Sequence, residues 1–209
     1  MIDVTHQISA VSRTVGSRTL EAGEARVITV SRVYPTSQDD LWEACTSAER
    51  IPRWFLPISG DLKEGGRFQF ENHAGGLIES CDRPHRIEAT WEFGGEISWI
   101  TLTLVPVEED HTRFQLEHVA HVDDERWAEF GPGAVGIGWD SGFLGLALHL
   151  TDGTFNAADM MPWTVSPEGV SFMTQAGEAW YAADVASGRD PSAARAAADR
   201  CIAAYTATG

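Results

Sequence analysis

Apolar and polar residues alternate through the middle of this chain. In RIEATWEF, Ile87, Ala89, Trp91 and Phe93 fall on one face and Glu88, Thr90 and Glu92 on the other. TRFQLEHVAHV sets Phe114, Leu116 and His118 against Gln115 and Glu117, and RFQF sets Phe68 and Phe70 against Arg67 and Gln69. A period of two marks a strand buried on one side. GLIESCD and ISWITLTLVPV read as further strands, and the segment opening at ISGDL as another. Gly65-Gly66, DRPH, Gly94-Gly95 and EEDH punctuate the series as turns. The pattern therefore predicts six strands joined by short antiparallel connections.

Before them, the β-branched run ARVITVSRVYP, residues 25–35, predicts one more strand that stops at Pro35. Thr36 or Ser37 then caps a helix with Asp39 and Asp40 in its first turn, which suits the helix dipole. Its apolar stripe is Leu41, Ala44 and Cys45. A second short helix runs from Ser47 to about Pro52, with Trp54 and Phe55 just after it. Residues 1–23 read as a leader strap with a short helix on Ile8, Val11 and Val15. The sheet that results has one aromatic and one charged face. It is an α+β arrangement that needs a cover on the aromatic side.

The cover is expected from GPGAVGIGWDSGFLGLALHL, residues 131–150. This stretch also spells G-x-G-x-x-G, but no strand precedes it, so the dinucleotide reading fails. Its G-x-x-x-G and its length suggest a membrane helix, yet Asp140 stands near the middle without flanking basic clusters. A buried helix remains. Trp139, Phe143, Leu146 and Leu150 form one face, and Gly138, Gly142, Gly145 and His149 the next. Each glycine costs about 1 kcal/mol of helix stability relative to alanine. The stripe is therefore expected to face the sheet, or a cavity above it. Ile137, Leu144 and Leu148 add another apolar face, so the helix needs burial all round.

Two more helices follow in residues 151–209. Ser166 and Pro167 open the first, with Val170, Met173, Gly177 and Trp180 along its stripe and Gly188 after its end. Asp190 and Pro191 open the second, whose stripe is Ala194, Ala197, Cys201 and Ala204 or Tyr205. TDGT and SPEG read as turn and cap sequences. The terminal helices are expected to pack on the 138–150 helix, within the chain or exchanged in a homodimer.

Charge narrows the partners. Fifteen basic residues face 31 acidic ones, for a net charge of -16, which disfavours nucleic acid and anionic membranes. Cys45, Cys81 and Cys201 are three in number and far apart in sequence, so neither a disulfide framework nor a zinc site is expected. The first residues lack the basic and apolar regions of a secretory signal. A cytoplasmic protein without metal or cofactor is the reading.

The order of these elements resembles the START-like superfamily, also called Bet v 1-like or SRPBCC. Its carriers are VITVSRVYPTSQDDLWEACTSAERIPRWF, GDLKEGGRFQF, ATWEF, TRFQLEH and GWDSGFLGL. Within the superfamily the chain is most similar to the branch named after the activator of the heat-shock-protein-90 ATPase. The resemblance covers about residues 25–150. It implies a helix-grip fold, a curved antiparallel sheet of seven strands around a long helix, here with a helical C-terminal extension. The division is then a strap at 1–23, the START-like domain at 24–150 and the extension at 151–209. It also implies a cavity between sheet and helix but no single activity, since members include lipid and steroid carriers, hormone receptors, polyketide cyclases and co-chaperones. The co-chaperone carries a separate chaperone-binding domain ahead of this fold, where this sequence shows a short leader.

The aromatic residues carry the functional expectation. Trp54, Phe68, Phe70, Trp91, Phe93, Phe114, Leu116, His118, Trp139 and Phe143 are expected to line a site for a small apolar or aromatic ligand. An alternative is a cyclase or hydratase that pairs His118 with a carboxylate, with Glu79 and Cys81 as further inward candidates. Another is a protein-interaction module that acts on a chaperone. His118 and His121 point to opposite faces of a strand and cannot share a metal. No catalytic residue is assigned.

Overall fold

The computed structural model describes residues 2–151 and 156–207. The elements are α1 (Val4–Ser9), β1 (Ser12–Leu20), β2 (Gly23–Tyr34), α2 (Gln38–Thr46), α3 (Ile51–Trp54), β3 (Ile58–Gly60), β4 (Arg67–Phe70), β5 (Gly75–Asp82), β6 (Arg86–Phe93), β7 (Glu96–Glu108) and β8 (His111–Ala120). After them come α4 (Asp124–Phe130), α5 (Gly133–Thr151), a 3-10 turn (Ala157–Asp159), α6 (Met160–Thr164), α7 (Pro167–Ala186) and α8 (Pro191–Thr206). The strands form one open antiparallel sheet in the order β1-β2-β8-β7-β6-β5-β4-β3. This is the expected α+β helix-grip class, with eight strands where seven were expected. The additional strand is SRTVGSRTL, beyond the short helix α1. In sequence, Ile8, Val11 and Val15 suggest a helical face. In the structure the helix stops at Ser9, and alternation governs the residues from Ser12.

Two compact units result, and β2 and α5 each run from one into the other. Met1–Val30, His121–Leu144 and Ala158–Gly209 make the first; Ser31–Ala120 and Gly145–Ala157 make the second.

In the first unit the helix caps follow the sequence. Ser166 accepts from the Gly169 N–H at the start of α7, and Asp190 accepts from Ser192 and Ala193 at the start of α8. Both helices then have proline in the first turn. They bury Phe172, Met173, Ala176 and Trp180 on α7, and Ala194, Ala197 and Cys201 on α8. Cys201 and Trp180 meet the first half of α5 at Gly133 and Gly136, and Gly177 of α7 lies beside Ile137. The Tyr205 hydroxyl donates to the Ala134 carbonyl at 3.0 Å. A Cβ added at Gly136 would lie 2.2 Å from Trp180 Cε2, so glycine is what lets the indole rest on the α5 backbone. Gly138 faces α8: a Cβ there would meet the Tyr205 hydroxyl at 3.5 Å, which corrects its expected place toward the sheet. Gly142 and Gly145 are buried, as are Ile137, Trp139, Phe143, Leu144 and Leu146. The helix is thus apolar nearly all round, and it carries a buried Asp140 held by Arg13 of β1 and Trp180 of α7. The turn reading of TDGT lies largely outside the described residues.

The second unit is built on long ladders. β7 pairs with β8 from Trp99↔Val119 to Pro106↔Thr112, and with β6 from Arg86↔Thr103 to Phe93↔Glu96. Gly94 and Gly95 close the β6–β7 hairpin at φ 62° and 85°, angles that glycine adopts without strain. Ser37 caps α2, and Gln38 Nε2 donates to the Leu104 carbonyl at 2.9 Å, which fixes the helix to β7. Thr112, fully buried, donates to the Thr36 carbonyl at 2.9 Å. The core on this side is Tyr34, Leu41, Ala89, Ile100, Leu104, Phe114 and Leu116.

Candidate functional site

Within the second unit the alternating strands bring aromatic rings into one connected series. The register Phe68↔Gly76 sets a ring opposite a residue without a side chain; a Cβ at Gly76 would fall 3.0 Å from Phe68 Cε1. Phe68 contacts Phe70 with ring centroids 5.6 Å apart, and both contact Trp91, at 6.4 and 5.7 Å. Phe55 meets Phe70 edge-on at 5.0 Å and Trp54 at 5.6 Å. Trp54 is oriented by its indole N–H, which donates to the Ala44 carbonyl at 2.9 Å. From Trp91 the series continues to His73 at 5.8 Å, and His73 stacks on Phe93 at 5.0 Å. Such edge-on and offset contacts each add about 0.5–1.5 kcal/mol beyond burial.

Exposure along this series is graded. Phe68 and Phe70 are 8% and 7% exposed, Trp54, Phe55 and Trp91 are half-buried, and Phe93 is 55% exposed. Phe93 is therefore a correction to the inward set. Strand parity places it with Trp91, but it is the last residue before the β6–β7 turn and packs beside His73 at the surface. Ile97, across that turn, is 57% exposed.

His118 supplies the polar group. It is 6% exposed, and its Nε2 lies 2.8 Å from Ser98 Oγ. Ser98 in turn donates to the Trp91 carbonyl at 3.0 Å. With the hydroxyl hydrogen committed to that carbonyl, the imidazole that fits is the tautomer protonated on Nε2. Burial pushes the His118 pKa down to about 4, so the ring is neutral at physiological pH. It holds Ser98 through that N–H without carrying charge.

The other expected residues divide. Phe114 and Leu116, both 3% exposed, lie on the same face of β8 as His118, and Phe114 contacts Tyr34 with centroids 6.4 Å apart. Trp139 and Phe143 belong to the first unit, where both are buried. Glu79 and Cys81 are exposed, against the inward expectation. The register moves from Ile78↔Ala89 to Ser80↔Glu88, so Glu79 is the extra residue of a bulge and leaves the pleat. The carboxylate that a His118 enzyme requires is thus not supplied by Glu79.

Sequence reasoning did not single out Phe55, His73 or Ser98. Ser98 had a usable signal: it shares the parity of Ile100, Leu102 and Leu104, a polar residue on an apolar face. Phe55 stands beside Trp54 in sequence. His73 sits in a turn, where no period applies.

A cleft in the first unit, lined by Phe130, Trp180, Asp184, Ala197 and Cys201, has a free volume of about 10 Å³, which suits one water. Cys201 donates to the Phe130 carbonyl at 2.9 Å, and burial raises its pKa to about 11. Burial likewise raises the Cys45 thiol to about 12, so neither is a nucleophile at neutral pH. Among the described residues no group of three or more His, Cys, Asp or Glu gathers in a metal-binding arrangement, and no helix is long and apolar enough to cross a membrane.

Comparison with known proteins agrees with this architecture. The crystal structure of CalU16 from Micromonospora echinospora is 34% identical, covers 83% of this chain and 98% of its own, and superposes with a TM-score of 0.66. The solution structure of CalU16 gives 33% identity, 85% and 97% coverage and a TM-score of 0.69. PFC0360w, an HSP90 activator from Plasmodium falciparum, shares the fold at 24% identity, with 61% and 96% coverage and a TM-score of 0.51. No curated protein matches the chain. The family described as Activator of Hsp90 ATPase homolog 1-like protein matches residues 35–150, from the end of β2 to the end of α5, and the chain belongs to that family, within the START-like superfamily.

Proposed function

We propose that this protein is a cytosolic binding domain for a small apolar or aromatic ligand, held on the aromatic face of its sheet. Trp54, Phe68, Phe70 and Trp91 supply apolar surface, Phe114 and Leu116 continue it along β8, and the His118–Ser98 pair sets a polar point among them. The observation that carries this reading is the graded ring series. A closed core ends in buried side chains. Here ring contacts pass without a break from buried Phe68 to exposed Phe93, so apolar surface continues from the interior to solvent. A few polar groups among aromatic walls are the usual composition of a ligand site. The free state of all three cysteines suits a reducing compartment.

The test is titration with the neutral fluorophore N-phenyl-1-naphthylamine. Saturable binding with quenching of tryptophan emission is expected, and excess probe should raise the melting temperature by mass action. Trp91→Leu should weaken that binding. Absence of both saturation and thermal shift would remove the basis for a ligand site.

A further inference from the structure

Positive charge collects around α3 in the second unit. Arg50 stands at the N-cap position of this short helix and Arg53 follows three residues later, a spacing that sets both side chains on one side of the turn. His149 comes from the last turn of α5, in the part of that helix that belongs to the same unit. Both guanidiniums, and the Asp40 carboxylate of α2, lie within electrostatic reach of its ring.

The balance of charge here is the reverse of the chain's. Arg50 Nη1 donates to Asp40 Oδ1 at 2.7 Å and to the Asp40 carbonyl at 3.1 Å, and Thr36 donates to Oδ2 at 2.8 Å. Both Asp40 oxygens are therefore committed. Arg53 is exposed and makes no ion pair among the described residues, not even with Glu49 four residues before it. Elsewhere in the unit arginine meets carboxylate: Arg67 with Glu92, Arg83 with Glu43 and Arg86 with Glu88. Two guanidiniums and an imidazole thus share one committed carboxylate, in a chain whose acidic residues outnumber its basic ones by 31 to 15. Burial and the two guanidiniums hold the His149 pKa below its ordinary value, against an opposing pull from Asp40. The ring is neutral at physiological pH and has an N–H to donate. A carboxylate matches a single guanidinium fork; donors from three side chains on two helices suit a group with more oxygens and more charge, a phosphate.

We propose that Arg50, Arg53 and His149 form a binding site for a phosphate group, carried by the free ion or by an organic ligand. Arg53 supplies an open guanidinium, Arg50 the nitrogens that Asp40 does not take, and His149 a hydrogen bond. Trp54 follows Arg53 in the chain and begins the ring series, so a phosphate on an aromatic skeleton also has apolar surface next to it. The phosphate site stands without the apolar-ligand reading, and inorganic phosphate tests it alone.

The experiment is a titration of the full chain with inorganic phosphate at constant ionic strength, so that screening does not pass for binding. NMR follows the His149 ring Hε1 resonance, identified by its loss in His149→Gln. A saturable shift is expected, with a higher His149 pKa in the presence of phosphate. Arg53 is exposed, so Arg53→Gln should leave the fold intact and weaken phosphate about tenfold, the factor that one charge-assisted hydrogen bond supplies. Arg113 is an exposed arginine of β8 that also makes no ion pair among the described residues, and Arg113→Gln should bind as wild type does. Phenyl phosphate separates the two sources: tighter binding than inorganic phosphate assigns the site to an organic phosphate, and equal binding to the free ion. A shift that does not saturate, an affinity unchanged by Arg53→Gln, or equal weakening by Arg53→Gln and Arg113→Gln would overturn the site.

Discussion

Arg13 holds Asp140 through two nitrogens: Nε lies 3.1 Å from each carboxylate oxygen and Nη2 lies 2.9 Å from Oδ1. The two side chains are 5% and 1% exposed. Trp180 Nε1 donates to Oδ2 at 2.9 Å, and the remaining Arg13 nitrogen donates to the Val11 and Ile8 carbonyls at 2.9 and 3.2 Å. A carboxylate in the middle of an apolar helix is costly unless paired and hydrogen-bonded, and here both conditions hold. Burial raises the Asp140 pKa, while Arg13 and Trp180 pull it back.

Breaking that pair from either side should be severe. Arg13→Ala and Asp140→Ala are each expected to cost about 3–5 kcal/mol, since either leaves an uncompensated buried charge. Arg13→Met combined with Asp140→Leu should cost less than the sum of the single changes. Urea denaturation measures this, and single variants within 1 kcal/mol of wild type would show that the pair is idle.

Three glycines of the first unit should respond differently to alanine. At Gly136 the new Cβ meets the rigid indole of Trp180 at 2.2 Å, and Trp180 also serves Asp140, so a loss of about 1–3 kcal/mol or more is expected. At Gly177 it meets Ile202 Cγ1 at 2.3 Å, the stem of a β-branched side chain that a helix holds to one χ1 rotamer, so a loss of similar size is expected. Gly138 has only the Tyr205 hydroxyl at 3.5 Å, and Gly138→Ala should stabilise by up to about 1 kcal/mol through helix propensity. A Gly138→Ala protein that melts below either of the other two variants would contradict this packing.

His118 should make stability depend on pH. Its folded pKa of about 4 lies below the ordinary 6.5, so between those values the unfolded chain binds more protons. The contribution is complete above pH 6.5 and is lost as pH falls toward 4, on the order of 3 kcal/mol in all. Carboxylates titrate in the same window, so the measurement is the difference between wild type and His118→Gln. A difference that stays constant from pH 7.5 to 4.5 would mean that the imidazole is not desolvated.

Truncation after Leu150 removes Trp180 from Asp140 and uncovers Gly136, Ile137 and Ala134, which α7 and α8 now meet. Burial of each large apolar side chain is worth about 1.5–3 kcal/mol. The shortened chain should aggregate or melt much earlier. A monomer with an unchanged melting temperature would show that α7 and α8 are a detachable tail.

Much of this fold was legible in the sequence, and the exceptions have physical causes. Strands β2 to β8 announced themselves because one face of each is apolar and the other is wet. β1 did not, because SRTVGSRTL is mostly polar. Its Val15 suggested the next turn of a helix, whereas that residue belongs to a strand set by neighbours distant in sequence. The ends of α7 and α8 were readable from Ser166-Pro167 and Asp190-Pro191, which act locally. The orientation of α5 was not, since a helix that is apolar nearly all round has no preferred face, and its glycines do not say which neighbour comes close. Phe93 and Glu79 were misplaced where strict alternation breaks, at a hairpin end and at a bulge.

The Arg13–Asp140–Trp180 cluster also sets a timetable for synthesis. Asp140 follows Arg13 by 127 residues, and Trp180 follows Asp140 by a further 40. At about 5–20 residues per second, Arg13 leaves the ribosome on the order of ten seconds before its last partner is made. The first unit is assembled from three separate stretches, the last beginning at Ala158, so it cannot close until that stretch has been made. Ser31–Ala120, by contrast, is contiguous and can pair its strands as they emerge. The nascent chain should therefore carry α5 with its carboxylate lacking Trp180 and its apolar faces open until α7 and α8 have emerged, a species for which holding chaperones compete.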